Sequence, residues 1–160
     1  MAQKIITNLW FDNDAEDAAK FYCSVFEDSR IVSVLHYPEA SDSAGQVLTV
    51  EWELNGQRFV GINGGPRFKF SEAVSLAIEC KDQDEIDYYW EKLTDGGEES
   101  MCGWLKDRYG LSWQVVPQGI DELFNDPDPE RSTRAWEAMM KMRKLDIAAL
   151  RSAADGVPAP

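Results

Sequence analysis

Several polar side chains in this sequence have the types and spacing of a binding site for a polar organic molecule. Thr7, Ser75 and Gln114 lie at alternating positions of predicted strands, where a hydroxyl or an amide can hydrogen-bond such a molecule. Glu79 shares the predicted face of Ser75, where a carboxylate acts as a general base if enclosed or stays in water at a rim. Buried polar groups need partners in any case, so these side chains can equally bond each other or water.

Two tryptophans and one cysteine extend this set of candidates. Trp52 and Trp104 can stack on a planar ligand, or they can line the hydrophobic core, since the chain has six tryptophans. Cys102 can be a nucleophile only with a base or a positive charge beside it. The single histidine, His36, falls in a different predicted strand, so a buried thiol is the alternative. No residue is assigned a catalytic role.

Three of the candidates lie in one predicted hairpin, residues 98–117. Its second strand alternates, with Leu111, Trp113 and Val115 facing one way and Ser112, Gln114 and Val116 facing the other. Aromatic and β-branched residues favour a strand here. A ligand should therefore meet the face that carries Gln114.

The elements that position these residues form a pattern that occurs twice. The first copy is predicted as strand 5–11, helix 15–26, and strands 30–37, 46–54 and 57–63. The second copy is strand 73–80, helix 83–94 and the hairpin 98–117. An offset of about 68 residues relates the helix stripes and the first strands, so the chain is predicted to be a tandem repeat.

The predicted fold is α+β, with tandem βαβββ modules that form a curved mixed-sheet cup with helices outside. The modules are placed at 1–65 and 66–118, followed by a helical extension at 119–155 and a tail at 156–160, all in one structural domain. The concave face is expected to carry alternate residues of each first strand: Thr7, Leu9, Phe11, Ser75, Ala77 and Glu79. The methionine and tryptophan stripe of the extension is interpreted as core or subunit contact.

Composition restricts the partners. With 29 acidic and 16 basic residues the formal charge is −13, which repels nucleic acids and anionic lipid surfaces. No apolar run has the length of a membrane span, and the start shows no signal-peptide pattern. Three cysteines without a paired framework indicate reduced thiols. A cytoplasmic protein that binds a small molecule, without nucleic acid or membrane, is expected.

Short motifs then carry a resemblance to a known family. They are LWF at 9–11, FY at 21–22, NGGP at 63–66, GGEES at 96–100, CGWLKDRYG at 102–110 and SWQVVP at 112–117. Together they resemble the vicinal oxygen chelate superfamily, which includes glyoxalase and bleomycin-resistance proteins. They are most similar to its PhnB-like branch, often labelled 3-demethylubiquinone-9 3-methyltransferase domain.

The resemblance implies paired modules around a cup, commonly in a homodimer. In metal-dependent members, His or Glu ligands come from the first and last strand of each module. Carried over to this chain, these positions fall on Thr7, Ser75 and Gln114, with the fourth near Gly61. None of these residues is a strong ligand for a divalent metal, so neither a metal nor another cofactor is expected.

The leading hypothesis is a PhnB-like protein that binds a small organic molecule in a metal-free cup. The alternatives are a glyoxalase-like lyase or isomerase, and the methyltransferase of the family label. No predicted strand is followed by a G-x-G-x-x-G turn that opens a helix, as a doubly wound methyltransferase would require.

Overall fold

Each of the two repeated segments folds as a four-stranded sheet with one helix in the computed structural model. The structure describes residues 2–158, so Met1 of the predicted first module and residues 159–160 of the predicted tail lie outside it. The chain divides into two units, Met1–Phe70 and Ser71–Pro160.

The first unit contains β1 (Thr7–Phe11), α1 (Ala15–Val25), β2 (Ser29–His36), β3 (Val47–Leu54) and β4 (Gln57–Asn63). The strand order is β1-β4-β3-β2, with β1 parallel to β4 and the other pairs antiparallel. Asn55 and Gly56 form the predicted turn between β3 and β4, and both have positive φ, as such a two-residue turn requires.

The second unit repeats this topology with β5 (Ser75–Cys80), α2 (Gln83–Thr94), β6 (Glu98–Glu99), β7 (Trp104–Lys106) and β8 (Ser112–Pro117). The order is β5-β8-β7-β6, with β5 parallel to β8. The prediction of an α+β fold built from tandem βαβββ modules is confirmed.

Three helices follow the second sheet: α3 (Ile120–Phe124), α4 (Pro129–Met139) and α5 (Ile147–Ala154). Asp128 and Asp146 accept backbone N–H groups at the starts of α4 and α5. The helical extension predicted at 119–155 covers α3, but the sequence analysis did not distinguish it as a separate helix. Within residues 2–158, no helix is both long enough and apolar enough to cross a membrane.

The cap of α1 comes from a distant strand. Asp14 directly precedes the helix, but its side chain makes no capping bond. Instead, Asn63 Oδ1 accepts the N–H of Ala15 at 2.9 Å, and Asn63 Nδ2 donates to the carbonyl of Val47 at 3.1 Å. Tyr37 donates its hydroxyl to the carbonyl of Asn63 at 2.6 Å. Asn63 thus joins α1, β3 and β4 from a buried position.

The predicted facing of β1 is wrong. Thr7 lies opposite Phe59 in the ladder, and directly opposed residues share a face. The ring of Phe59 stacks on Trp52, which stacks on Tyr22 of α1. Thr7, Leu9 and Phe11 therefore lie on the side that packs against the helix, and not on the outer face.

A difference in loop length explains this error. Three residues, 12–14, connect β1 to α1, whereas two residues, 81–82, connect β5 to α2. The offset of 68 therefore aligns the helix stripes but shifts the first strands by one residue, which reverses the face. The ladder makes Leu76, opposite Trp113, the counterpart of Thr7.

The hairpin of the second unit is organised by a buried carboxylate. Asp107 is 2% exposed. Its Oδ1 accepts the N–H groups of Tyr109 and Leu111 at 2.8 and 3.1 Å, and its Oδ2 accepts the indole N–H of Trp113 at 2.8 Å. Gly110 takes φ +84 in the same turn. The carboxylate therefore fixes both the turn and the core ring of β8.

We expect Asn63→Ala to lower the free energy of unfolding by about 2–3 kcal/mol, because the N–H of Ala15 and the carbonyl of Val47 lose a buried partner. Urea unfolding measures this change. Asn13→Ala is the control, since Asn13 is exposed in the loop before α1, and should change stability by less than about 0.5 kcal/mol. Equal effects of the two substitutions would contradict the capping role.

We expect Asp107→Ala to destabilise the protein by about 2–4 kcal/mol, because three N–H donors lose their acceptor. The matched control is Asp95→Ala, which removes an exposed ion pair to Arg108 at 3.1 Å and should cost less than about 1 kcal/mol. Unfolding followed by tryptophan fluorescence reports both. If Asp107→Ala lowers the free energy of unfolding by no more than Asp95→Ala does, the carboxylate does not organise the hairpin.

Candidate functional site

The outer face of the second sheet, defined here as the side away from α2, carries two ordered rows of side chains. One row is Ser75, Ser112 and Lys106, and the next is Ala77, Gln114 and Trp104, each read across β5, β8 and β7. The opposite side of β8 holds Trp113 and Val115, which are 3% and 0% exposed. The alternation predicted for β8 is therefore confirmed.

Ser75 and Gln114 contact each other directly. Gln114 Nε2 donates to Ser75 Oγ at 2.9 Å, diagonally across the two rows. The hydroxyl of Ser75 keeps its own proton for a further acceptor, and the amide oxygen of Gln114 can accept from a donor. Both side chains are half-buried. The sequence left open whether these groups bond a ligand or each other, and in the structure they bond each other.

Ser112 lies on the outer face, as the alternation of β8 predicts. It was not among the candidate site residues chosen from the sequence. It is 0% exposed, and its Oγ has no hydrogen-bond partner among the described residues. A buried hydroxyl without a partner costs about 1–3 kcal/mol. The alternation of β8 was the available signal for its facing, but its burial could not be read from the sequence.

Charged groups lie at the edges of the outer face. Lys106 forms an ion pair of 2.6 Å with Glu72. The hydrogen bond from Lys106 lowers the pKa of Glu72, and the Glu72 carboxylate raises the pKa of Lys106. Glu79 is exposed and lies opposite Val116 in the ladder between β5 and β8. Its carboxylate is in water, which matches the rim alternative.

Trp52 lies in the core and not at a site. It is 0% exposed, with its ring between Tyr22 of α1 and Phe59 of β4. This is the lining position that the sequence left open, and no ligand can stack on the ring there. Its indole N–H has no partner among the described residues.

Cys102 lies outside the strand rows that carry Ser75 and Gln114. It takes φ +62 in the turn before β7, and its N–H donates to the carbonyl of Met142 at 2.7 Å. Its thiol lies 3.6 Å from the thioether of Met140. The residue therefore contacts the segment after α4.

Of the seven residues selected from the sequence, the structure brings together Ser75, Gln114 and Trp104. Glu79 lies on the same outer face at its exposed end, whereas Thr7 and Trp52 belong to the helix-facing side of the first sheet. The fourth carried-over position was placed near Gly61, which lies in β4 opposite Leu9. Gly61 itself faces α1, where a Cβ would be 2.9 Å from the Trp52 ring.

The first unit has a separate cavity of about 830 Å³ beside the N-terminus of α1. Its lining includes the acidic residues Asp12, Glu16 and Asp17, together with Asn63 and Tyr37. Glu16 is paired with Lys20 at 3.0 Å. The charge of this lining would favour a cationic ligand over an anionic one.

The outer face of the second sheet does not fit a divalent metal. Between residues 2 and 158 there is no group of three or more His, Cys, Asp or Glu side chains that could hold a metal ion. Hydroxyl and amide oxygens, as in Ser75 and Gln114, are weak donors compared with imidazole or carboxylate.

Comparison with known proteins shows which family this chain belongs to. A family model described as 3-demethylubiquinone-9 3-methyltransferase matches residues 3–116. The chain belongs to this family, the PhnB-like branch of the vicinal oxygen chelate superfamily. No curated protein matches the chain.

Solved structures of this fold show the same architecture. A PhnB protein from Bacillus cereus, named as a 3-demethylubiquinone-9 3-methyltransferase, is 38% identical with a TM-score of 0.66, over 72% of this chain and 99% of its own. Protein PA1353 from Pseudomonas aeruginosa is 17% identical with a TM-score of 0.62, over 72% and 98%. The fosfomycin resistance protein FosX from Listeria monocytogenes is 13% identical with a TM-score of 0.54, over 76% and 98%. The last two support the fold alone.

The match ends before the C-terminal helices. The PhnB-like family model stops at residue 116, and α3, α4 and α5 all follow it. The contacts of Cys102 with Met140 and Met142, which follow α4, therefore involve residues beyond the matched region.

We expect maleimide at pH 8 to label Cys102 in the native protein and to leave Cys80 unlabelled. Cys80 is 0% exposed, and burial raises the pKa of its thiol to about 12, so that it stays protonated even at pH 9. Burial also raises the pKa of half-buried Cys23. Mass spectrometry of the labelled peptides measures the rates, and labelling in guanidinium should reach all three thiols. Equal native rates at Cys80 and Cys102 would contradict this assignment.

Proposed function

We propose that this PhnB-like protein binds a small organic molecule on the outer face of its second sheet, without a divalent metal. The observation that carries the proposal is the hydrogen bond between Gln114 Nε2 and Ser75 Oγ beside the indole of Trp104. These groups offer hydrogen bonds in both directions next to an aromatic surface.

The shape of the two rows supports a planar or partly apolar ligand. Gln114 of β8 lies between Ala77 of β5 and Trp104 of β7, so the amide has a small side chain on one side and a large ring on the other. A ligand over this row would contact the Trp104 ring and hydrogen-bond the Gln114 amide. The unpartnered hydroxyl of Ser112 lies in the next row and becomes available if a covering side chain moves.

The methyltransferase of the family name requires an adenosyl cofactor, and the described residues do not fit the usual site for it. That site needs a glycine-rich turn between a parallel strand and a helix, where the backbone approaches the cofactor. The connections here are Asp12-Asn13-Asp14 and Lys81-Asp82, which contain no glycine. Binding without methyl transfer is therefore the favoured function, and a glyoxalase-like lyase or isomerase is the alternative.

We also propose that the protein is a homodimer. The outer strand of the first sheet, β2, exposes a run of apolar side chains, with Val34 at 38% and Leu35 at 57%. An apolar edge strand without lysine or proline is open to pairing with another chain. A cytoplasmic location is supported by the three free cysteines, since thiols persist in a reducing compartment.

A thermal-shift screen against metabolites and aromatic antibiotics tests the binding site. Ligands that stabilise the wild type should lose their shift in Gln114→Leu and in Ser75→Val, because both variants remove the polar pair. Gln118→Leu is the control, since Gln118 is exposed in the same unit, and should keep the shift. Unchanged shifts in both site variants would overturn the assignment.

Two further results would redirect the proposal. Loss of the shift in Asp17→Ala, but not in Gln114→Leu, would place the ligand in the first-unit cavity. Stoichiometric nickel, zinc, iron or manganese retained after purification, as measured by elemental analysis, would overturn the metal-free reading of the outer face.

A further inference from the structure

One row of the outer face brings two hydroxyl groups and one ammonium group together. Ser75 of β5, Ser112 of β8 and Lys106 of β7 are directly opposed in the two ladders, so neighbouring Cβ atoms of the row are about 5 Å apart. All three side chains can donate a hydrogen bond, since Ser75 keeps its proton while its oxygen accepts from Gln114. The row therefore offers several donors to one acceptor group.

Ser112 is the member of this row that lacks a hydrogen bond. It is 0% exposed, and its Oγ has no partner among the residues that the structure describes. Buried hydroxyl groups are normally hydrogen-bonded, because burial without a partner removes the bonds that water would supply. A partner from outside the chain would restore this bond.

The ion pair between Lys106 and Glu72 lies across the same row. Glu72 is three residues before the start of β5, whereas Lys106 is in β7, on the other side of β8. The 2.6 Å contact between Lys106 Nζ and Glu72 Oε1 therefore bridges the start of β8, where Ser112 lies. The Glu72 side chain is 62% exposed, and exposed ion pairs contribute little to stability. Another carboxylate can thus replace that of Glu72 with little loss of free energy.

We propose that the molecule bound on the outer face is a small organic acid, whose carboxylate takes the place of the Glu72 carboxylate beside Lys106. One carboxylate oxygen pairs with the Lys106 ammonium, and the hydroxyls of Ser75 and Ser112 donate to the remaining lone pairs. In the free protein, Glu72 occupies the position that the ligand takes in the complex. This inference rests on the proposed function, because it names the class of molecule that the same face binds.

The next row accommodates the rest of the ligand. It lies two residues further along β8, about 6.6 Å away, and carries the Gln114 amide and the Trp104 ring. An aromatic ring joined to the carboxylate through a short carbon spacer spans this separation and contacts Trp104. Aryl-substituted acids such as phenylacetate and 3-phenylpropionate therefore match both rows.

The charges around Lys106 favour a singly charged anion. The pKa of Lys106 is raised first by its hydrogen bond to Glu72 and further by the charge of Glu98, which lies opposite on β6. Exchange of Glu72 for a monocarboxylate leaves the local charge unchanged, whereas a phosphate dianion adds a negative charge beside Glu98. Glu79 lies four residues beyond Ser75 along β5, about 13 Å away, which exceeds the Debye length of about 8 Å.

Isothermal titration calorimetry of the full chain with matched acids and primary amides tests the proposal. The probes are phenylacetate and 3-phenylpropionate, with phenylacetamide and 3-phenylpropionamide as their uncharged counterparts. We expect an acid to bind the wild type about tenfold or more tightly than its amide, because the amide cannot replace the Glu72 carboxylate at Lys106. An amide that binds as tightly as its acid, or no binding by either acid, would overturn the proposal.

Two substitutions separate ligand binding from structural support. Glu72→Gln removes the internal competitor, so the acid should bind about two- to fivefold more tightly. Ser112→Ala removes the unpartnered hydroxyl, so the variant should melt at or above the wild-type temperature while acid binding weakens by about tenfold. A lower melting temperature with unchanged affinity would assign Ser112 a structural role only and reject its part in the site.

A pair of lysine substitutions tests the charge. Lys106→Met keeps the length of the side chain without the ammonium group and should abolish the preference for acids over amides. Lys81→Met is the matched control, because it removes an exposed lysine that pairs with Glu85 at 3.8 Å in the same unit, and should bind acids like the wild type. An unchanged preference for acids in Lys106→Met would contradict the proposal.

The results distinguish a failure of this inference from a failure of the proposed function. If Gln114→Leu abolishes binding of acids and amides alike, while Ser112→Ala and Glu72→Gln have no effect, the outer face binds its ligand without a carboxylate. That result rejects the inference alone. If Gln114→Leu leaves acid binding unchanged, the outer face is not the site, and both the inference and the proposed function fail.

Discussion

The second unit depends on the burial of one charged group, the carboxylate of Asp107. A charge inside a protein is tolerated when hydrogen bonds replace its hydration, and here two backbone N–H groups and one indole N–H do so. The same bonds close the turn between β7 and β8 and orient the Trp113 ring towards the core. Gln114, the next residue, is thereby directed to the outer face. The PhnB-like motif from Cys102 to Gly110 thus has a structural explanation in the charge that it buries.

The outer face of the second sheet combines a polar pair with an aromatic ring, and this limits the chemistry available to it. Ser75 and Gln114 are neutral, and Glu79 is exposed in water. Neutral hydrogen-bonding groups can orient a ligand but do not themselves transfer protons at neutral pH. Cys102, the remaining nucleophile of the sequence analysis, contacts Met140 instead. The proposed binding function uses only these neutral groups and the Trp104 ring.

Much of the fold was predictable because each element has a strong local signal. The correct elements include α2, predicted from its hydrophobic stripe, the Asn55-Gly56 turn, and β8, predicted from its alternation. Two elements, Gln57–Asn63 and Gln83–Thr94, were predicted with the correct residue at both ends. The facing of β1 was not predictable in this way. Alternation separates the two faces of a strand, but both faces of β1 carry apolar residues, so only the ladder with β4 shows which of them meets α1.

The sequence by itself determined the repeated βαβββ order, the face of β8 that carries Gln114, and the absence of strong metal ligands at the positions carried over from metal-dependent relatives. The first two properties follow from periodicity, which is local, and the third follows from the family resemblance together with side-chain chemistry. The tertiary structure alone decided that Asn63 caps α1 from 48 residues away, that Trp52 is enclosed by Tyr22 and Phe59, and that Cys102 meets Met140. Each of these contacts joins residues from separate elements, and chain folding sets such distances through packing that no local pattern records.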